Sequence, residues 1–181
     1  MTSRFKTKYQ EIAVPSLMEK FGIKNKMAVP KILKVSVNIG VNSKKTEANY
    51  METLENTIKR ITGQKPIRTK AKIAISAFKV KENMVVGMAV TLRGVKMYDF
   101  LDKLVNISIP RIRDFRGLDE KSVDKQGNLS IGFKEHVVFP EIHSDEIDRI
   151  HGLQVTITTN ANNYNHGLEL FRLLGFPFKK S

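Results

Sequence analysis

Three histidines and five carboxylates crowd between residues 135 and 151: Glu135, His136, Glu141, His143, Asp145, Glu146, Asp148 and His151. Side chains of these types can ligate a divalent cation or exchange protons with a substrate. Their spacing argues against both. Pro140 separates His136 from His143, and His143 and His151 lie eight positions apart, so no pair shares a helix face one turn apart. The chain has no cysteine, which removes thiolate ligands, thiol nucleophiles and disulfides together. Its 11 glycines form neither G-x-G-x-x-G nor G-x-x-x-x-G-K, so no phosphate-gripping loop of those kinds is present. The expectation is no catalytic residue, no metal and no cofactor, with 135–151 an acidic, solvated surface suited to a basic protein.

Charge points to a different chemistry. Residues 1–100 hold 20 Lys and Arg against 7 Asp and Glu, whereas 101–181 hold 11 against 11, so the whole net charge of +13 belongs to the first stretch. A one-sided basic surface is the footprint of a polyanion binder, because each phosphate it neutralises releases condensed counterions. No apolar run approaches the roughly 18–20 residues needed to span a bilayer. The N-terminus is basic (Arg4, Lys6, Lys8), but no apolar stretch of a secretory signal follows it, and Glu11 and Glu19 argue against a transit peptide. The expectation is a cytoplasmic protein whose leading partner is nucleic acid, with no membrane.

The elements that must position this charge are legible from periodicity. Alternation at period two marks strands near 31–40, 65–71, 84–93, 128–134 and 153–160. Apolar residues three and four apart mark helices: Met51, Leu54, Ile58 and Ile61, stopped by Gly63; Met97, Leu101 and Leu104, stopped before Pro110; Tyr164, Leu168, Phe171 and Leu174, stopped by Gly175. Tyr9, Ile12 and Ala13 begin an N-terminal helix that Pro15 must kink or restart. No repeat or linker divides the chain, so residues 1–181 read as a single domain. The fold class is α+β, with helices on one face of a largely antiparallel sheet and the opposite face open for RNA.

Strand alternation gives that sheet two unlike faces. Leu33, Val35, Val37 and Ile39 oppose Lys34, Ser36 and Asn38; Val86, Met88, Val90 and Leu92 oppose Gly87, Ala89, Thr91 and Arg93; Leu153, Val155 and Ile157 oppose Gln154, Thr156 and Thr158. The second face is small, polar and basic, and the small Gly87 and Ala89 leave room for a backbone to dock. It lacks the paired aromatics on which single-stranded bases stack, which favours a folded RNA read through backbone, shape and 2′-hydroxyls. Between the second and third strands, 68–84 (RTKAKIAISAFKVKENM) exceeds what a hairpin needs, so about 71–84 projects as a loop. Its cations flank Ile73, Ile75 and Phe78, a composition suited to a second nucleic acid.

Several long strings share one resemblance: VPKILKVSVNIGV (29–41), ITGQKP (61–66), GMAVTLRG (87–94), PRIRDFRGL (110–118), GFKEHVVFPEI (132–142), GLQVTITT (152–159) and GFPFKK (175–180). Together they resemble the large-subunit ribosomal protein five family, bacterial or organellar, over nearly the whole chain. The resemblance implies a non-enzymatic protein that binds 5S rRNA, seats it in the central protuberance and contacts large-subunit rRNA. Asn38, Gln64 and Thr91 match polar positions of the family's rRNA-binding face, with Lys34 and Arg93 beside them, and Arg68 joins that set. The projecting loop, with Lys72, Phe78, Lys79 and Lys81, matches the segment that reaches P-site tRNA. The neutral half matches the region that faces a small-subunit head protein across an intersubunit bridge, one of several ribosomal-protein partners. In the loop the family usually places glycine where this chain has Ala77 and Asn83, a change that stiffens the loop at Ala77. Two other readings are weighed against this one. An RNA-processing or RNA-modifying protein acting on a folded RNA needs a catalytic constellation, and a protein of anionic membranes needs a cationic amphipathic helix.

Overall fold

The computed structural model of the chain describes residues 3–41, 48–142 and 150–179. Five strands, β1 (Ile32–Gly40), β2 (Ile67–Lys70), β3 (Val85–Leu92), β4 (Leu129–Phe133) and β5 (Leu153–Thr159), form one antiparallel sheet of order β2-β3-β1-β5-β4. The helices are α1 (Arg4–Lys8), α2 (Val14–Phe21), α3 (Ala48–Thr62), α4 (Gly94–Lys103) and α5 (Tyr164–Leu174). The class is α+β, as the alternation of periods predicts.

The chain divides into two compact units, and β1, β4 and β5 each contribute residues to both. One comprises Met1–Val35, Arg93–Ile131 and Thr156–Ser181. In it α1 packs on α4 and α2 on α5, around Phe5, Leu17, Leu101, Leu104, Ile109, Leu170 and Phe171, all nearly inaccessible to water. Gly175 ends α5 at φ 94, and the Lys8 ammonium donates to the Leu174 carbonyl at 2.8 Å, placing a cation at a helix C-terminus where the dipole favours it.

Two prolines reshape helices without ending them. A wide turn of π geometry, Tyr9–Ala13, precedes Pro15, and another, Leu104–Ser108, precedes Pro110. Proline has no N–H for the carbonyl four residues back, and its ring crowds that carbonyl, so widening the preceding turn relieves both. The helical path therefore continues through Pro110 to Arg111, rather than stopping before it. The wide turn also shifts the phase of the first helix, leaving Ile12 exposed while Ala13, Val14 and Leu17 are buried.

The second unit comprises Ser36–Leu92 and Gly132–Val155. Here α3 packs on β3 and buries the predicted stripe of Met51, Leu54, Ile58 and Ile61 with Val37, Ile39, Met88, Val90 and Leu92. Gly63, at φ 66, follows α3 in the left-handed conformation that terminates a helix. The first strand departs from the predicted pattern at its start: Ile32 is buried and Leu33 exposed, and regular alternation resumes only at Val35. At that same end, the Asn160 side-chain carbonyl accepts from the Lys31 N–H at 2.6 Å while the Asn160 N–H donates to the Lys31 carbonyl at 3.1 Å. A side chain thus supplies one bond of the pairing, and the backbone need not hold ideal strand geometry there.

Candidate nucleic-acid interface

Pairing register decides which side chains share the open face. Ile67 pairs with Ala89, Arg68 with Met88 and Thr69 with Gly87, and directly opposed residues in an antiparallel pair point the same way. Ala89 and Thr91 alternate with the buried Met88, Val90 and Leu92, so Ile67 and Thr69 lie on the face away from α3. On β1, Ser36, Asn38 and Gly40 likewise alternate with the buried Val37 and Ile39, and Asn38 is exposed. Ile67 is 73% exposed, a large apolar side chain on an otherwise polar face. Sequence reading missed it, although its alternation with Arg68 was available as a signal.

Gln64 bonds to the end of β3 through its side chain. Its side-chain Nε2 donates to the Thr91 carbonyl at 3.3 Å, two positions past the last β3 residue that β2 pairs. The amide thereby occupies an acceptor that the edge strand starts too late to cover. The turn before it is held by the Thr62 hydroxyl, which donates to the Ile58 carbonyl at 2.7 Å and accepts from the Gln64 N–H at 3.3 Å.

Lys34 and Arg93 belong to the other unit. Lys34 is half-buried, two positions along β1 from Ser36, and Arg93 is exposed with an extended backbone (φ −140, ψ 163) just before α4. Arg68 lies on the opposite side of β2 from Ile67 and Thr69. Its partner Met88 faces α3, and so does its guanidinium, which donates to Glu55 from Nη2 at 2.9 Å and from Nε at 3.3 Å. The Arg68 hydrogen bond, aided by Lys65 at 3.5 Å, holds the Glu55 carboxyl below its usual range despite opposing desolvation. Arg68 is an even-numbered residue on a strand whose odd-numbered residues face outward.

The segment between β2 and β3 is more ordered than a plain loop. Ala71 and Met84 continue the pairing through a 2.8 Å bond, and Ile75 and Val80 form a second bridge. A tight turn, Ser76–Phe78, makes the tip. Lys72, Phe78, Lys79 and Lys81 are all exposed, as are Ile73 and Ile75. The two positive backbone angles fall on Lys79 (φ 53) and Asn83 (φ 62). Asn83 is thus a tolerable substitute for glycine, and Ala77, inside the tight turn with ordinary φ, needs no glycine at all.

His143, Asp145, Glu146 and Asp148 lie outside the described residues, and among the described residues no group of three or more His, Cys, Asp or Glu is placed to hold a metal ion. His136 is buried and its ring stacks on that of His151, with centroids 3.8 Å apart and planes 11° from parallel. Its Nδ1 lies 3.3 Å from both the backbone nitrogen and the carbonyl oxygen of His151. Burial pushes its pKa below the ordinary 6.5, against the opposing pulls of His151 and Glu135.

An unfolded His136 takes up a proton near pH 6.5 while the folded one resists, so the unfolded state binds more protons in that window. Folding stability should fall as pH drops below about 6.5, until the folded ring itself protonates. His136→Gln should flatten that part of the curve, as read by urea midpoints of both proteins between about pH 7.5 and 5. Identical pH dependence in the two would remove His136 as the titrating group.

Among the described residues no helix is long and apolar enough to cross a membrane. Comparison with known proteins gives the class as a structural protein of the large ribosomal subunit. Residues 25–81 match the family described as ribosomal protein L5, and residues 85–178 match the model of that ribosomal family's C-terminus. The large ribosomal subunit protein uL5 of Halothermothrix orenii is 49% identical over 172 residues, covering 95% of this chain and 96% of its own. That of Clostridium tetani is 47% identical over 178 residues (98% and 99%), and that of a Picosynechococcus species 48% over 181 residues, the whole of both. The chain belongs to the ribosomal L5 family, in its bacterial form. It is not an enzyme.

Proposed function

We propose that this protein acts as one RNA-binding domain in the cytoplasmic ribosome, binding 5S rRNA through the open sheet face and seating it in the central protuberance. The observation that carries the reading is the exposed polar row of Asn38 and Thr91, with Gln64 fixed beside Thr91, on the side of the strands away from α3. Short polar side chains on a regular strand pair suit a folded RNA backbone and its 2′-hydroxyls, and Lys34 and Arg93 supply phosphate contacts. Family membership adds large-subunit rRNA and neighbouring ribosomal proteins as partners. The ordered hairpin, with Lys72, Phe78, Lys79 and Lys81 at the surface, suits contact with P-site tRNA. The neutral half faces a small-subunit head protein across an intersubunit bridge.

Shape recognition gives a direct test. Purified protein should bind labelled 5S rRNA far more tightly than an unstructured RNA of equal length, so that only unlabelled 5S rRNA competes efficiently. Equal competition by both RNAs would remove the folded-RNA reading and leave a nonspecific cation surface.

A further inference from the structure

We propose that Ile67 is a specificity-determining residue of the RNA face: its side chain packs against the ribose-lined minor groove of a folded RNA, a contact that salt does not weaken. A single exposed isoleucine is ordinary on any protein surface, so its place carries the argument. Ile67 pairs with Ala89. The Val41 N–H donates to the Val86 carbonyl at 2.8 Å, and counting along antiparallel β1 and β3 from that bond brings Asn38 opposite Ala89. Ile67, Ala89 and Asn38 therefore form one row across three strands, on the side away from α3 and within one compact unit.

The row has an apolar end and a polar end. Neighbouring strands lie roughly 4.8 Å apart, so Ile67 and Asn38 stand about 10 Å from each other, with only the Ala89 methyl between them. That floor is low enough for a sugar–phosphate strand to lie across it. A ribose offers C–H surface and a 2′-hydroxyl, which match the isoleucine and the asparagine in turn. Ile67 is 73% exposed and β-branched, so binding has apolar area to cover and little rotamer freedom to remove.

The charge beside Ile67 is engaged elsewhere. Lys65 and Arg68 lie 3.5 and 2.9 Å from the Glu55 carboxylate. What β2 presents to the open face at this point is therefore apolar, not a phosphate grip. Around it, Asn38, Thr69 and Thr91 are polar, so the apolar surface is one side chain wide. A protein partner covers a contiguous patch of several hundred Å², whereas one aliphatic side chain among hydroxyls and an amide fits a sugar. It has no ring face on which unpaired bases could stack, which ties the contact to folded RNA. The proposal deepens the 5S rRNA reading above and rests on it.

The test compares the full-length wild type with Ile67→Ser and Ile67→Val by filter binding over a range of salt. Two probes are used: 5S rRNA, and an unstructured RNA of equal length. Ile67→Ser should lose about tenfold on 5S rRNA yet stay within about twofold on the unstructured RNA, whose binding is chiefly electrostatic. Its slope of log affinity against log salt should match the wild type, because no phosphate contact is lost. Ile67→Val, one methylene shorter, should lose no more than about fourfold. Urea midpoints of Ile67→Ser and wild type should coincide, since an exposed side chain adds little to stability. Unchanged 5S rRNA affinity, an equal loss on both probes, or a flattened salt slope overturns the proposal. So does normal RNA binding with poor incorporation into ribosomes, which would assign Ile67 to a protein partner. A wild type that does not prefer 5S rRNA removes the sheet-face reading and this one together; a wild type and an Ile67→Ser protein that prefer it equally remove this one alone.

Discussion

Replacing Asn38 or Thr91 with alanine is expected to weaken 5S rRNA binding by about 1–3 kcal/mol each, while changing folding stability by no more than about 0.5 kcal/mol. Both side chains are exposed on strands whose inward neighbours Val37, Ile39, Val90 and Leu92 carry the packing, and the backbone carbonyl that Gln64 uses survives Thr91→Ala. Each truncation strands an RNA group that had given up water for its partner, which is where the loss arises. The hairpin supplies the contrast. Lys79→Ala combined with Lys81→Ala should leave isolated 5S rRNA binding nearly intact and appear only in assembled ribosomes, as faster loss of P-site tRNA. The measurements are filter binding with purified 5S rRNA and tRNA dissociation from ribosomes carrying each variant. If the hairpin variant loses 5S rRNA as badly as Asn38→Ala, the two surfaces are one.

A larger effect on the fold is expected from Gly87→Ala, about 2–3 kcal/mol of destabilisation. A Cβ at Gly87 would stand 2.6 Å from the Ile39 carbonyl oxygen and 3.0 Å from the Thr69 hydroxyl. The first is backbone of a neighbouring strand and cannot swing aside. Register between β2 and β3 also slips just beyond, between Thr69 and Lys70, so the strands are already irregular there. Read from sequence, Gly87 leaves space for an RNA backbone to dock, but the structure fills that space with protein: the residue is buried by its own neighbours. The two roles separate cleanly in a denaturation experiment. A stable Gly87→Ala protein with weakened 5S rRNA binding would restore the docking role, whereas an unstable one confirms close strand approach.

Strand and helix positions were legible because they follow from local periodicity. All five strands lie where alternation places them, and the stripes of α3 and α5 are buried apart from the half-buried Tyr164, ending at Gly63 and Gly175. The failures are equally physical. Pro110 reads as a stop, yet a wide turn upstream of it lets the helical path continue. Alternation at the start of β1 breaks where the Asn160 side chain substitutes for regular pairing, and nothing near Leu33 announces a residue 129 positions away from Lys31.

For the candidate interface, residue order was enough to set the chemistry: a one-sided basic charge, an alternating polar face with Asn38 and Thr91, and a cationic hairpin around Phe78. That much is local, because side-chain type and period-two alternation need only the neighbouring residues. Which cations are available and which small residues are open depends instead on the folded chain. Arg68 turns toward Glu55 because its register with Met88 faces α3, and Gly87 is covered because Ile39 of the adjoining strand lies against it. The stacking of His136 on His151 belongs with these, since it joins two ends of a segment fifteen residues apart. Register and strand order arise from pairing between distant parts of the chain, and no local pattern encodes them.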